Sequence, residues 1–432
     1  MTRRDMSYTA ALAVVTTIFF TWGGLTSLND VLIPHLKAVF QMNYAQSMLI
    51  QSTFFGAYFL MSLPASKVVA KVGYKNSIVI GLIVAAAGAA LFFPAARIPS
   101  YPLFLGALFV LASGITLLQV SANPYISLLG DPAGAPSRLN LAQALNSLGT
   151  TLFPYVIGPL ILSTAVLGTA ELAAMSVAEQ AAYRAHEAAS VQMPYMIIAG
   201  CLLLLAVFVY QMRIPSLAEA TESADPVHHS FAEVLGQRHL FFGVVAIFVY
   251  VGAEVSIGSF LINYISAPEI GNIDHAQASE YLAYYWGGAM VGRFIGAALL
   301  RRFDARRLLA LFAVAAIALL ALTMSTKGSV AMWAVLSIGL FNSIMFPTIF
   351  TIAIERLGPM TSKASSLLIM GIVGGAVIPW LQGVLSDRIG IQPSFVIPVV
   401  CYAFIVWYGW RGSRVLAGQG QHVTAQASGV MH

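Results

Sequence analysis

Charge is what this sequence has least of. Only 9% of its 432 residues are Asp, Glu, Lys or Arg, where ordinary soluble domains carry roughly a quarter. Since 59% are hydrophobic, the chain has too few polar residues to cover a water-facing surface, which excludes a soluble globular protein. Cysteine is nearly absent too. Cys201 and Cys401 both sit in apolar runs, so neither a disulfide framework nor a cysteine-held metal is available. The eight histidines fall in loops, tails or at the edges of apolar runs. No pair is left to ligate haem inside a bundle, and a redox enzyme is disfavoured. No Gly-x-x-x-x-Gly-Lys-Ser/Thr phosphate loop occurs, so ATP does not drive the protein directly. The chain is therefore expected not to be an enzyme, and to hold neither a metal nor an organic cofactor.

What the sequence does have is long apolar runs. Twelve are present, at about 9–34, 46–69, 77–96, 101–129, 139–165, 190–211, 240–266, 279–300, 307–325, 329–353, 364–386 and 394–411. Each is of the order of 20 residues, enough at ~1.5 Å per residue to cross a ~30 Å hydrocarbon layer. The expected fold class is an all-α integral membrane protein with twelve transmembrane helices. The first run is too long for a signal-peptide core and is expected to stay as a helix. With both termini cytoplasmic, 16 of the 22 Lys and Arg residues fall inside and five outside, with Arg293 within a span. That asymmetry follows the positive-inside rule. The net charge of +5 is thus a matter of topology, and no nucleic-acid partner is implied.

The polar stretch Arg213 to Arg238 divides six runs from six, and the two halves resemble each other. GTTLFPYVIG (149–158) and GGAVIPWLQG (374–383) share a glycine, a proline five residues on, an aromatic and a second glycine, at an offset of 225. Gln119 precedes Pro124 by five residues as Asn342 precedes Pro347, at an offset of 223, and Gly23 aligns with Gly252 at 229. Near-constant spacing points to a duplicated six-helix unit. The expected organisation is an N-terminal bundle over 1–212, a cytoplasmic linker over 213–238, a C-terminal bundle over 239–412 and a tail over 413–432. Two pseudo-symmetric six-helix bundles with both ends inside resemble the fold of the major facilitator superfamily, whose binding site lies at mid-membrane.

Because one fold hosts many cargoes, function has to come from the polar residues inside the spans. Asp30 is the sole Asp, Glu, Lys, Arg or His between Met6 and Pro34, and Glu254 the sole one between His239 and Glu269. An acid facing lipid costs roughly 2.5–3.5 kcal/mol on insertion scales, so each is expected in a cavity or beside a partner. Either they form a cation or proton site, or they bond a neighbouring helix. The neutral amides Asn29, Gln119, Asn123, Gln143, Asn146, Asn263 and Asn342 accompany them, and Gln143 and Asn146 share a helix face. Amides can act as interhelical glue. Together they offer donors and acceptors without net charge, which suits a polyol. Trp22, Trp286 and Trp380 also lie in spans, where a ring can stack on the C–H face of a sugar, pack, or join an interfacial belt. Arg293 is expected at a span edge, bonding helix ends.

The strings LNDVLIPHLKAVF, QSTFFGAYFLMSLPA, GITLLQVSANPYISLLG, SRLNLAQALNSLG and FVYVGAEVSIGSFL together resemble the fucose permease family of that superfamily, and within it the bacterial glucose/galactose transporter branch. The resemblance implies cation-coupled import of a neutral hexose by alternating access, by a multi-pass protein of the bacterial inner membrane working as a monomer. It implies no cofactor beyond the coupling ion, H⁺ or Na⁺. Asp30 matches the family's protonatable coupling residue, and Gln143 and Asn146 match its sugar-contacting pair. Gln119 stands where the fucose symporter has a glutamate, which removes half of that acid pair. Glu254 stands where the fucose symporter has a neutral amide, which makes sodium coupling an option beside proton coupling. The alternatives are a symporter of N-acetylglucosamine or fucose, or an exporter of drugs or metabolites on the same fold. YVIGPL (155–160) gives a weak echo of an exporter motif.

Overall fold

The structure is a computed structural model. It describes residues 8–40, 44–98, 100–161, 191–212, 230–273 and 275–415, with a few residues between 175 and 189; the side chains of 8–10, 28–40, 44–48, 51, 154–155, 157–161, 275–276 and 279 lie outside the description. The helices are α1 (Tyr8–Phe40), α2 (Tyr44–Arg97), α3 (Tyr101–Leu128), α4 (Ala135–Ile161), α5 (Gln192–Gln211), the short α6 (Phe231–Leu235), α7 (Arg238–Ser266) and α8 (His275–Leu299). They continue as α9 (Ala305–Ser325), α10 (Gly328–Asn342), α11 (Met345–Ala353), α12 (Thr361–Met370), α13 (Gly374–Ile389), α14 (Ile391–Ser394) and α15 (Val396–Trp407). No strand occurs among the described residues. Helix runs, among the described residues, through each of the twelve apolar stretches apart from short breaks. Among the described residues, eight helical segments are long and apolar enough to cross a membrane, and Ala11–Ser27 is a shorter apolar helix.

The second and third stretches form two helices that meet at Gly73 with no loop between them, together spanning α2. Gly73 breaks it with φ 76°, ψ 173°, a left-handed φ that a side chain would strain. The residues after the break cap a neighbouring helix. Lys75 Nζ donates to the Tyr210 carbonyl at 2.9 Å, closing the C-terminal end of α5 where cations are favoured. The turn between α3 and α4 is built the same way. The Arg138 fork donates to the carbonyls of Asp131 (2.8 Å), Ser127 (3.0 Å) and Ile126 (3.3 Å), satisfying the end of α3. In the linker, Ser230 and Glu233 form a reciprocal capping box on α6, and Asp304 Oδ1 caps α9 through the Arg307 amide at 2.9 Å.

By contact the chain divides into two units: residues 1–122 with 145–215, and 123–144 with 216–432. The turn joining α3 to α4 is thus grouped with the second unit. Both units repeat one packing scheme. A Cβ at Gly149 on α4 would lie 2.0 Å from the Phe20 carbonyl of α1, and one at Gly374 on α13 would lie 1.9 Å from the Phe248 carbonyl of α7. Likewise Gly24 abuts Phe153 and Gly252 abuts Ile378. The offsets are 228 for α1 against α7 and 225 for α4 against α13. The register of the first pair is therefore Gly24 with Gly252, one residue from the alignment of Gly23 expected from sequence. The shift matters because Gly24, not Gly23, faces the aromatic ring.

The outward faces of the helices are apolar. Leu204 is 73% exposed, Met193 71% and Val400 65%, as expected where lipid is the solvent.

Candidate functional site

Tyr250 and Glu254, one turn apart on α7, begin a buried polar cluster in the second unit. The Tyr250 hydroxyl lies 2.8 Å from Glu254 Oε1 and 3.0 Å from the Asn342 carbonyl at the end of α10. It has one hydrogen for these two acceptors. The Asn342 side chain is held at both ends: its Nδ2 donates to the Tyr285 hydroxyl at 2.8 Å, and its Oδ1 accepts from the Tyr402 hydroxyl at 2.6 Å. Tyr285 in turn donates to the Glu254 carbonyl at 3.2 Å. Tyr250, Tyr285, Asn342 and Tyr402 are fully buried, while Glu254 is partly buried. Tyrosine is suited to such positions, since its ring packs like an apolar residue and its hydroxyl still finds a partner. Trp286 adds an aromatic face, with its ring 5.0 Å from that of Tyr285 and in contact with Gly258 on α7.

Arg293 on α8 joins this cluster to the start of α4. Its Nε donates to the Ser343 carbonyl at 3.4 Å and its Nη1 to the Gln143 carbonyl at 3.5 Å. Its charge also acts on Glu254. The same seam holds Asn140 Nδ2 to the Arg293 carbonyl at 2.6 Å and Ser137 Oγ to the Ala297 carbonyl at 2.7 Å. Arg293 is partly buried among these groups and donates to backbone carbonyls of α4 and of the end of α10, whereas the sequence alone placed it at a span edge.

The first unit carries a counterpart. Gln119 Nε2 donates to the Tyr58 hydroxyl at 2.8 Å, as Asn342 does to Tyr285. The offsets are 223 for the amides and 227 for the tyrosines. Two matching amide–tyrosine pairs therefore lie at matching places in the repeat. Asn146 sits on the α1–α4 contact, its Nδ2 donating to the Phe19 carbonyl at 2.9 Å. Its counterpart by the offset of 225 is Gly371, which abuts Ile247 on α7. The amide fills a space that the second unit closes with a side chain from the opposite helix.

The remaining candidates divide. Asn29 and Asp30 lie on α1, and their side chains are outside the described residues. By the offset of 228, Asp30 corresponds to Gly258, and Glu254 to Thr26. The two acids are not symmetry mates; they are one helical turn out of register. Gln143 is buried. Asn123 is fully buried, and its amide makes no hydrogen bond among the described residues. Trp22 is 3% exposed and packs on Phe19 with ring centroids 4.0 Å apart. Trp286 is 38% exposed, and Trp380 is 66% exposed between the buried Ile378 and Gln382 of α13. Asn263 is exposed. Tyr58, Tyr250 and Tyr402 were not expected from sequence. The one cue was the spacing of Tyr250, four residues before the lone acid of its span and so on the same helix face.

An apolar all-helical chain that repeats one packing scheme, with a buried amide–tyrosine pair in each repeat, is a membrane transporter of the internally duplicated type. The chain belongs to the major facilitator superfamily: the model of the Major Facilitator Superfamily matches residues 14–372. It is 51% identical over 96% of its length, and 96% of the relative's, to a glucose/galactose transporter of Brucella abortus. It is 43% identical to a putative glucose/galactose transporter of Helicobacter pylori, over 94% of this chain and 98% of that one. Among solved structures it matches the fucose:proton symporter of E. coli at TM-score 0.86 and 36% identity, covering 94% of this chain and 98% of that one.

Proposed function

We propose that the chain imports a neutral hexose of the glucose/galactose type together with a proton or a sodium ion, by alternating access across the bacterial inner membrane. The repeats 1–212 and 239–412 are the two working halves, both termini are cytoplasmic, and the monomer is the functional unit. What carries this reading is the 51% identity to a glucose/galactose transporter over 96% of both chains. The site chemistry supports it. Buried uncharged amides paired with tyrosine hydroxyls match the alternating donors and acceptors of a sugar, and Trp286 beside Tyr285 offers a ring for its apolar face. Gln119 donates to Tyr58 and neither group is an acid, so Asp30 and Glu254 are left as the coupling carboxylates. Asn29, Asn123, Gln143 and Asn146, with Trp22 and Trp380, complete the set assigned to sugar.

Fucose import is the second reading, favoured by the 36% identity to the L-fucose-proton symporter of E. coli over 93% of this chain. Uptake of labelled galactose into proteoliposomes, under an imposed Na⁺ gradient and separately under a proton gradient, decides between them when glucose and fucose are added as competitors. Accumulation under one gradient, competed by glucose and not by fucose, is the expected result. Competition by fucose alone reverses the substrate assignment, and no accumulation under either gradient overturns symport. Asp30→Asn is expected to abolish accumulation. Gln143→Ala and Asn146→Ala are expected to raise KM, and an unchanged KM in both removes them from the site.

A further inference from the structure

The tenth span is broken at its centre. α10 ends at Asn342 and α11 begins at Met345, with Pro347 two residues further on. Proline has no N–H to give to the carbonyl four residues back, which is that of Ser343. Arg293 Nε donates to that carbonyl instead, and the neighbouring Asn342 carbonyl lies within reach of the Tyr250 hydroxyl. Tyr250 ties the break to an acid, since it also lies 2.8 Å from Glu254 Oε1, and Arg293 donates to the Ser343 carbonyl next along the chain from the Asn342 carbonyl that Tyr250 reaches. The Ser343 and Thr348 hydroxyls, on either side of the proline, are buried with no hydrogen bond among the described residues. The break thus retains polar groups that a second local arrangement can satisfy.

We propose that Tyr250 and Arg293 are positioning residues that transmit the charge state of Glu254 to the break in the tenth span. While Glu254 is anionic, the single hydrogen of Tyr250 goes to the carboxylate and the guanidinium is drawn the same way, so the Asn342 and Ser343 carbonyls lose their donors. Once Glu254 takes up a proton, its own O–H donates to the Tyr250 oxygen. The Tyr250 hydrogen then turns to the Asn342 carbonyl, and Arg293 settles on Ser343. A sodium ion at the carboxylate neutralises it to the same effect. Loading of Glu254 therefore favours the capped form of the break and unloading the uncapped form, so that two local arrangements are biased by one ion. The inference rests on the reading of Glu254 as a coupling acid.

The test uses the full-length protein in proteoliposomes with labelled galactose and two readouts: steady-state accumulation under the gradient that drives wild type, and counterflow exchange with equal ion concentrations on both sides. Tyr250→Phe, which removes only a hydroxyl, is expected to lower accumulation about tenfold, an ordinary coupling factor. Counterflow is expected to stay within about twofold of wild type, and the double variant with Glu254→Gln to accumulate no less than Glu254→Gln alone, because the two act along one path. Arg293→Lys, which keeps the charge and loses the fork, is expected to show the same split and serves if Tyr250→Phe does not reconstitute. If Glu254→Gln accumulates like wild type, the coupling role of that acid fails and the inference with it. If Glu254→Gln is uncoupled while Tyr250→Phe and Arg293→Lys accumulate normally, the inference alone is overturned. It is likewise overturned if counterflow falls in step with accumulation, which is what a purely structural role produces.

Discussion

Asn342 and Gln119 occupy matching places in the two repeats but differ in how much depends on them. Gln119 donates to one tyrosine hydroxyl, whereas Asn342 donates to Tyr285 and accepts from Tyr402. Removing a partner from a buried polar group costs about 1–3 kcal/mol in water-soluble proteins, and somewhat less between helices in a membrane, on the order of 1 kcal/mol. Asn342→Ala takes the acceptor from Tyr402 and the donor from Tyr285, while Gln119→Ala takes only the donor from Tyr58. Thermal unfolding in detergent is expected to show a drop for Asn342→Ala about twice that for Gln119→Ala, near ~1–2 kcal/mol against ~1 kcal/mol by the same rule. Equal drops would mean that Tyr402 finds another acceptor. The sequence revealed the amides because they stand out in apolar spans. It did not reveal Tyr250 or Tyr402, because a tyrosine in a span reads equally well as packing, and only folding brings residues 250, 285, 342 and 402 into one cluster.

At the level of helices, the repeat is visible as backbone contact. Gly149 and Gly374 let α4 and α13 approach the carbonyls of Phe20 and Phe248 so closely that a Cβ at 1.9–2.0 Å leaves no room. The obstruction is backbone and cannot rotate away, so Gly149→Ala and Gly374→Ala are each expected to destabilise by about 1–3 kcal/mol through overpacking. Gly106 and Gly200, which have nothing within 4 Å of an added Cβ, supply the control. Alanine there is expected to be neutral, or to stabilise by up to ~1 kcal/mol through helix propensity. Unfolding curves of the four variants in one detergent check this, and a similar loss for Gly106→Ala would sever the effect from close packing. These elements were legible in advance: apolar length placed the helices, and the paired Gly–Pro–aromatic–Gly strings located α4 and α13. The register of α1 against α7 was read one residue off, because two adjacent glycines, Gly23 and Gly24, fit the pattern equally and only the contact with Phe153 distinguishes them. The break at residues 343–344 was not anticipated, since 329–353 reads as one apolar run and Pro347 entered only through the repeat, and its capping by Tyr250 and Arg293 depends on contacts 92 and 50 residues distant along the chain.

For the molecule as a whole, the distribution of basic residues makes a definite claim about sidedness. Arg301 and Arg302 in the α8–α9 turn cluster with Arg306 and Arg307 in the first turn of α9, whereas the loop between α9 and α10 carries only Lys327, ion-paired with Glu269 at 2.6 Å. Both Lys327 and Glu269 are well exposed, so their pairing contributes little to stability. The arginine cluster is instead anchored, with Arg306 bonded to Glu355 and His239 Nε2 3.0 Å from the Glu355 carbonyl. By the positive-inside rule the arginine side is expected to be cytoplasmic and Lys327 external. In intact cells, on a background with Cys201→Ala and Cys401→Ala, Lys327→Cys is expected to react with a membrane-impermeant maleimide. Arg302→Cys, exposed in the short α8–α9 turn, is expected to react only after the membrane is opened. The opposite labelling would invert the chain in the bilayer. It would not by itself reverse transport, since the direction of symport follows the ion gradient whichever way the protein faces.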